Sequence, residues 1–179
     1  EVINIIKGMK QHIPRGEKNK AGILKAHVSI KVSALASDFR IWSMENTYKL
    51  VSHRLTKILV TAKEEQVFIN IDAEHYHYRD MVFKIYQKVL LETNELKDFD
   101  QTGIVLQGYL RDAYVHFLDI LDLAKKRNLK MPIRLVKGAY WDTEIKHTQE
   151  LGLDGYPVFT RKPSTDVSFL ACARFLVEN

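Results

Sequence analysis

Strand-like and helix-like patterns alternate four times along this 179-residue chain, and this alternation limits the possible folds more than any other feature. The four strand patterns are AHVSIKVSAL (26–35), QVFINIDAE (66–74), TGIVLQGYL (102–110) and MPIRLVKGA (131–139). Each is followed by a segment with the periodicity or capping residues of a helix. Most of the strands are apolar on both sides, as expected when both faces of a parallel sheet are covered. The sequence therefore predicts an α/β fold with parallel strands, either a barrel or a doubly wound sheet.

Polar residues near the carboxyl ends of the strands favour the barrel. Asp72, Gln107 and Lys137 occupy such positions, and in a (β/α)8 barrel this end carries the catalytic groups. No G-x-G-x-x-G motif follows the first strand, which argues against a Rossmann fold. A complete barrel takes roughly 250 residues, and only four units are visible. We therefore expect a parallel (β/α)8 TIM-type barrel, of which this chain supplies about the first four βα units.

The two ends of the sequence indicate a piece of a longer protein. The chain starts at Glu1, and Asn179 follows directly on an apolar helical pattern. Residues 1–22 are polar and irregular apart from VINIIKGM, so we expect an N-terminal extension or arm there. Residues 23–179 are expected to form the N-terminal half of the barrel.

Cap residues mark the predicted starts of three helices. Ser43 precedes the first one, which we expect to run to about Lys63. Asp142 is the expected cap of the fourth helix, and Ser164 or Thr165 is the expected cap of the last.

Charge and composition exclude several classes of function. The net charge is +5 and the pI is about 9.2, but the basic residues are dispersed and no aromatic-interleaved basic stripe occurs, so nucleic-acid binding is not expected. No apolar run reaches membrane-spanning length. The single cysteine, Cys172, cannot form an internal disulfide, and its helical surroundings FLACARFL predict a buried structural thiol.

The first three strand patterns contain three candidate site residues, Lys31, Asp72 and Gln107. Lys31 falls within the first strand pattern and shares a face with Ser29 and Ser33. Its expected partner is Asp72, either in a functional site or in a structural ion pair across the barrel mouth. Gln107 carries both donor and acceptor groups that suit the edge of a heterocyclic ring, or else bonds a neighbouring loop.

Arg134 interrupts the fourth strand. A guanidinium inside a barrel strand needs an anion or a rich set of acceptors, which a ligand or a structural ion pair can supply. Lys137 follows at an odd spacing, so the two side chains are expected to point to opposite faces.

Two further motifs have both a functional and an ordinary interpretation. In TRKPSTD, Arg161 and Lys162 lie beside a helix start, which is typical of a phosphate site but also of an ordinary basic loop. His75 and His77 in EHYHY are potential metal ligands. No second His/Cys cluster stands at a matching spacing, so surface histidines are expected and no metal site is predicted.

The longest and most specific motif is IRLVKGAYWDTEIKHTQELGLDGYPVFTRKPSTDVSFLACARFL (133–176). It closely resembles the proline dehydrogenase domain, especially the form found in bacterial bifunctional proline utilisation A flavoenzymes. SIKVSAL, INIDAE and GIVLQGYL are similar to the first three barrel strands of that family, in the same order. The resemblance covers about residues 26–177.

The resemblance implies a distorted barrel that holds FAD and oxidises L-proline to Δ1-pyrroline-5-carboxylate, with electrons passed to a membrane quinone. It also implies a fused aldehyde dehydrogenase domain in the parent chain, and a cytoplasmic protein that is peripheral at the inner membrane face. In such an enzyme the cofactor carries the redox chemistry, and the protein orients the rings and tunes the electronics.

The resemblance also assigns site residues by motif. Lys31 and Asp72 correspond to the proline pocket and the flavin surround, and Tyr140 corresponds to a wall of the substrate pocket. The residues implied around the isoalloxazine ring, with Arg134 near N5, are Gln107, Arg134, Val136, Lys137, Gly138, Ala139 and Trp141. Those implied at the pyrophosphate and adenosine end are Thr160, Arg161, Lys162 and Thr165. A cation beside the reduced flavin stabilises its negative charge, and Gly138 lets the backbone approach the ring.

The chain departs from that family in lacking strands five to eight and the late helix with paired arginines for the proline carboxylate. We therefore expect the isolated chain to turn over proline poorly or not at all. Two other hypotheses stay open. One is a class I aldolase-like barrel that forms a Schiff base on Lys137, and the other is a non-catalytic barrel fragment that self-associates through its open edge strands.

Overall fold

The computed structural model describes residues 1–179 and contains one parallel four-stranded sheet in the order β1-β2-β3-β4. The strands are β1 (His27–Ile30), β2 (Phe68–Ile71), β3 (Thr102–Gln107) and β4 (Ile133–Val136). Neighbours in sequence are neighbours in the sheet throughout. This sequential order is that of a barrel wall built from consecutive βα units, whereas a doubly wound sheet reverses its order at a switch point.

Six α-helices accompany the sheet. They are α1 (Val2–Gly8), α2 (Met44–Glu65), α3 (Tyr76–Glu92), α4 (Ala113–Arg127), α5 (Trp141–Glu150) and α6 (Lys162–Glu178). Ser43 directly precedes α2, as predicted, although its side chain makes no capping hydrogen bond. The helices that follow the four strands confirm the alternation expected from the sequence periodicity.

The two faces of the sheet differ in chemistry. One face packs against the helices within a cluster of 31 buried residues, to which β1, β2 and β3 contribute Ile30, Ile71 and Leu106. The side chains of opposite parity lie on the other face. The polar members of that face are His27, Ser29, Asn70, Asp72, Gln107 and Arg134. The expectation of strands apolar on both sides thus holds only for the helix-covered face, because the opposite, inner face of the sheet is where the polar groups collect.

Residues ahead of β1 are tied to the rest of the fold. Ile6 of α1 is buried in the core shared with α2. The backbone N–H of Leu24 donates to the side-chain oxygen of Gln101 at 2.9 Å, next to the start of β3. The entry into β1 is therefore held by a contact between residues far apart in sequence.

The first strand is shorter than predicted. It ends at Ile30, so Lys31 lies just beyond it, and residues 33–35 form a single 3₁₀ turn. The carboxylate of Glu74 accepts hydrogen bonds from the backbone N–H of Ser33 at 3.1 Å and from the Ser33 hydroxyl. Because Glu74 is distant in sequence, the local pattern gave no sign of the contact that turns the chain here.

Two predicted helix caps are wrong. Helix α5 begins one residue before Asp142, which lies inside the first turn, where its charge still suits the helix dipole. Helix α6 begins at Lys162, so Ser164 and Thr165 are both helical. Pro163 explains the earlier start, since a first-turn residue needs no backbone N–H for the helix.

Cys172 is 3% exposed on α6, which confirms the prediction of a buried thiol. Burial raises its pKa. None of the helices has the combination of length and apolar character that crossing a membrane requires.

A buried histidine predicts how stability depends on pH. His116 of α4 is 5% exposed and packs edge-on against Phe83, and burial lowers its pKa from 6.5 to about 4. The unfolded chain therefore takes up a proton near pH 6.5, which the folded chain takes up only near pH 4. The free energy of unfolding falls across that range as the pH drops, by on the order of 3 kcal/mol from this residue.

Urea titrations at pH 7 and pH 4.5 measure this effect. We expect His116→Gln to lose less stability on acidification than the wild type, and His53→Gln, at an exposed position of α2, to lose as much as the wild type. Equal acid losses in the two variants would contradict the assignment to His116.

Candidate active site

A hydrogen-bond network joins the loops that follow β2, β3 and β4. Gln107, the last residue of β3, is 3% exposed, and its Nε2 donates to the Glu74 carbonyl at 3.2 Å and to the Tyr109 hydroxyl at 2.7 Å. The backbone N–H of Tyr140 donates to the same Tyr109 hydroxyl at 3.2 Å. The Tyr140 hydroxyl donates to the Ala73 carbonyl at 3.3 Å. The carboxyl ends of these strands thus form one connected rim.

Arg134 and Asp72 form an ion pair on the inner face of the sheet. Arg134 lies in β4 opposite Val105 of β3, and its Nη2 donates to the Asp72 carboxylate just beyond β2. The predicted pairing of Asp72 with Lys31 is therefore wrong, because the Asp72 carboxylate pairs with the inward-facing guanidinium of Arg134. The two side chains of the pair are 46% and 29% exposed, so both remain accessible to a ligand.

Lys31 lies on the same side of the rim. Its Nζ is 5.8 Å from the centroid of the Tyr140 ring. The Tyr140 hydroxyl, and to a lesser degree the carboxylates of Asp72 and Glu74, raise the pKa of Lys31. Lys31 therefore stays protonated at neutral pH. Lys31, Asp72 and Tyr140, the three residues predicted to be catalytic groups of the proline pocket, thus lie together at one side of the site.

Lys137 points away from that group. Its Nζ pairs with Asp166 and lies 5.5 Å from the ring centroid of Phe169, both on α6. The ammonium groups of Lys137 and Lys162 hold the pKa of Asp166 below its usual value. The prediction that Lys137 and Arg134 point to opposite faces is confirmed. Through its contacts with Asp166 and Phe169, Lys137 links the end of β4 to α6.

The backbone after Val136 is open at the rim. Gly138 has a φ of 92°, which favours glycine, and a Cβ built there meets nothing within 4 Å. Ala139 is exposed, and Val136 is half-buried opposite Gln107. A flat ligand can therefore approach the main chain at Gly138.

The segment before α6 pairs with the chain just past β3. The backbone N–H of Arg111 donates to the Pro157 carbonyl at 2.9 Å, and that of Phe159 donates to the Tyr109 carbonyl at 3.1 Å. The indole N–H of Trp141 donates to the Phe159 carbonyl at 2.8 Å. This stretch between α5 and α6 therefore forms another side of the same rim.

The four residues expected at a phosphate site differ in accessibility. Thr160, Arg161 and Lys162 are exposed, whereas Thr165 is buried within the first turn of α6. Lys162 pairs with Asp166 at 2.9 Å, and Arg161 makes no side-chain hydrogen bond or ion pair. Arg161 is thus a cation without a partner at a helix start, next to Lys162, which pairs within α6, and to the buried Thr165.

Sequence reasoning missed three residues of the network. Tyr109 and Glu74 bond as described above, and Glu144, 4% exposed on α5, accepts the Tyr76 N–H at 2.8 Å at the start of α3. His75 lies 3.3 Å from the same carboxylate. Only Tyr109 had a signal, since it follows Gln107 by two positions. No group of three or more His, Cys, Asp or Glu side chains is arranged to hold a metal ion.

A parallel wall of sequential βα units, with its polar groups at the carboxyl ends of the strands, is the architecture of part of a TIM-type barrel. Comparison with known proteins gives the family. The family model described as "Proline dehydrogenase" matches residues 1–179. The chain belongs to the proline dehydrogenase family.

The similar proteins agree with this assignment. The chain is 39% identical over 150 residues to "Bifunctional protein PutA" of Escherichia coli (strain K12), which covers 84% of the chain and 11% of that protein. It is 32% identical over 117 residues to "Proline dehydrogenase 1" of Bacillus subtilis (strain 168), covering 65% of the chain and 32% of that protein. The crystal structure of proline utilization A from Bdellovibrio bacteriovorus inactivated by N-propargylglycine superposes with a TM-score of 0.89 at 28% identity, covering 99% of the chain and 19% of that protein. The chain thus corresponds to part of the barrel and spans about a tenth to a third of the relatives' lengths.

Proposed function

We propose that this chain supplies part of the active site for FAD-dependent oxidation of L-proline to Δ1-pyrroline-5-carboxylate in proline catabolism. The observation that carries the proposal is the pairing of Arg134 with Asp72 on the inner face, beside Gln107 on the neighbouring strand. The family match over residues 1–179 supports the same reaction.

The donors and acceptors on the inner face fit a flavin ring system. Asn70 is 2% exposed and its Nδ2 has no hydrogen-bond partner. Arg134 adds a cation, and Gln107 adds a side-chain carbonyl. When bound, FAD supplies the two-electron oxidation that turns a ring C–N bond of proline into C=N. The isoalloxazine ring would lie against Arg134, Gln107 and the open backbone at Gly138. The remaining contacts would come from Val136, Ala139, Trp141 and the backbone of Lys137, whose ammonium is turned towards α6.

The side chains at the rim suit a zwitterionic amino acid. The Lys31 ammonium adds a positive charge to the proline pocket, and the Asp72 carboxylate offers a partner for the ring nitrogen of proline. The paired arginines of the late helix, which this chain lacks, would bind the proline carboxylate. Tyr140, whose hydroxyl is tied to the Ala73 carbonyl, presents its ring as a wall of the pocket. These three residues bind and orient proline, and Asp72 in turn holds Arg134 in place.

The start of α6 is the place for the pyrophosphate. Arg161 and Lys162 are exposed cations there, and the first backbone N–H groups of the helix favour an anion. Thr160 adds an exposed hydroxyl next to them. Thr165 would act here by supporting the helix start, since its side chain is buried.

The remaining parts of the proposal concern the natural protein that carries this sequence. Residues 1–22 would form an arm and residues 23–179 half of the barrel. A fused aldehyde dehydrogenase domain would follow, a quinone would accept the electrons, and the protein would be cytoplasmic and peripheral at the inner membrane face. The sheet edges at β1 and β4, each paired on one side only, would be the place for self-association of the isolated chain.

The Schiff-base alternative has less support. An aldolase lysine needs an unprotonated amine inside the barrel. The Lys137 ammonium is instead paired with Asp166 and turned towards α6.

A dye-linked assay tests the proposed reaction. We expect the natural protein, supplied with FAD, L-proline and a dye acceptor, to reduce the dye, and the isolated chain to do so weakly or not at all. Absence of proline-dependent dye reduction by the natural protein would overturn the proposal, and robust turnover by the isolated chain would overturn the expectation for the fragment.

A further inference from the structure

We propose that Tyr109 is a positioning residue whose buried hydroxyl orients the Gln107 amide towards the flavin and the Tyr140 backbone towards the substrate. The inference rests on the proposed function and adds a residue to which the sequence analysis gave no role. The same hydroxyl would then connect Gln107 on the cofactor side of the site with Tyr140 on the substrate side.

The buried hydroxyl of Tyr109 joins two groups of the site. Tyr109 is 0% exposed, and its oxygen receives the Gln107 Nε2–H at 2.7 Å and the Tyr140 N–H at 3.2 Å. A phenolic oxygen has two acceptor positions, so both are used. Burial raises the pKa of Tyr109, which keeps the group a neutral phenol at physiological pH.

Gln107 has only its side-chain oxygen left to bind a ligand. Its Nε2 has two hydrogens, one directed to the Glu74 carbonyl at 3.2 Å and the other to the Tyr109 hydroxyl. Only the side-chain oxygen is left for a ligand, so Gln107 presents an acceptor. The pyrimidine edge of oxidised flavin carries one N–H between two carbonyls, and that N–H is the matching donor. Without the Tyr109 hydroxyl, the 3.2 Å bond to the Glu74 carbonyl alone holds the amide in this orientation, and the amide is less firmly fixed.

Tyr109 also holds the backbone of Tyr140, the residue expected as a wall of the substrate pocket. Tyr140 is the residue before α5, and its backbone N–H is one of those that no helical carbonyl accepts. Tyr109 satisfies that N–H, while the Tyr140 ring packs 4.5 Å from the His75 ring. The hydroxyl thus fixes where α5 begins and where the Tyr140 ring stands.

The test compares Tyr109→Phe with Tyr86→Phe in the natural protein. Tyr86 is a matched control because it is also 0% exposed and its hydroxyl shares one hydrogen bond, 3.0 Å, with Thr102 away from the site. We expect Tyr109→Phe to weaken FAD binding about tenfold, to shift the visible bands of bound flavin and to raise the KM for proline. Tyr86→Phe is expected to change only the urea midpoint.

A double-mutant cycle separates positioning from general loosening. If Tyr109 acts through Gln107, Tyr109→Phe adds less than about twofold to the FAD Kd once Gln107→Ala is present. Hydrogen exchange on flavin-free protein gives a second readout, with the Tyr140 amide exchanging faster in Tyr109→Phe only.

The outcomes distinguish the two levels of the proposal. If the wild-type protein binds no FAD, the proposed function fails and this inference fails with it. If the wild type binds FAD but Tyr109→Phe matches Tyr86→Phe in flavin spectrum, FAD Kd and Tyr140 exchange, only the role of Tyr109 is overturned.

Discussion

Replacing Arg134 by methionine is expected to lower kcat/KM for proline about 100-fold to 1000-fold in the natural protein, the size typical of losing one preorganised electrostatic contact. Arg134 is the cation of the inner face, and it pairs with Asp72 at the centre of the candidate site. Removal of its charge should also shift the midpoint potential of bound flavin to a more negative value, because the cation favours the electron-rich form. Steady-state kinetics and a spectroelectrochemical titration measure both effects.

Arg134→Met should remain folded, so a change in its kinetics reports a loss of function and not a loss of structure. Both partners of the Arg134–Asp72 pair are partly exposed, so the pair contributes no more than about 1 kcal/mol to stability. Arg174→Met is the matched control, since Arg174 on α6 is 78% exposed and pairs only with Glu178. Equal kinetics and equal potentials in the two variants would remove Arg134 from the proposed site.

Gly103→Ala is expected to destabilise the fold by about 3 kcal/mol, and Gly103→Val is expected to yield no folded protein. A Cβ at this position of β3 would fall closer to the Pro132 carbonyl oxygen than real Cβ atoms come, and it would sit 3.0 Å from the Phe68 ring. That carbonyl accepts the Ile104 N–H at 3.2 Å, so it cannot retreat without breaking the β3–β4 ladder. The glycine is therefore required by the close approach of two strands.

Urea denaturation of Gly103→Ala and Gly155→Ala provides the comparison. A Cβ at Gly155 meets nothing within 4 Å and its φ is not positive, so this change should be nearly neutral. A stability of Gly103→Ala within about 0.5 kcal/mol of the control would show that β3 and β4 are less closely packed than described here.

The succession of strands and helices along the chain and the position of the polar groups were predictable from the sequence, because the apolar periodicities depend only on local spacing. Gln107 at the end of β3 and the opposite facing of Arg134 and Lys137 followed from period-two alternation alone. The end of β1 did not follow, because it depends on Glu74, 41 residues from Ser33.

The partners within the site were the least predictable part. Whether Asp72 meets Lys31 or Arg134 depends on the register between strands, which no local pattern fixes. The hydroxyl of Tyr109 can orient Tyr140 only because the chain after β4 places the Tyr140 N–H within hydrogen-bond distance of it. Such contacts belong to the folded sheet and require the structure. The roles of these residues towards FAD and proline remain predictions that the experiments above address.

The most direct test of the central claim is the visible absorption spectrum of the natural protein, purified and then mixed with L-proline in the absence of oxygen. We expect the bands of oxidised flavin, and we expect proline to bleach them. A protein without flavin bands, on which borohydride traps a carbonyl substrate at Lys137, would contradict the account and favour a Schiff-base barrel.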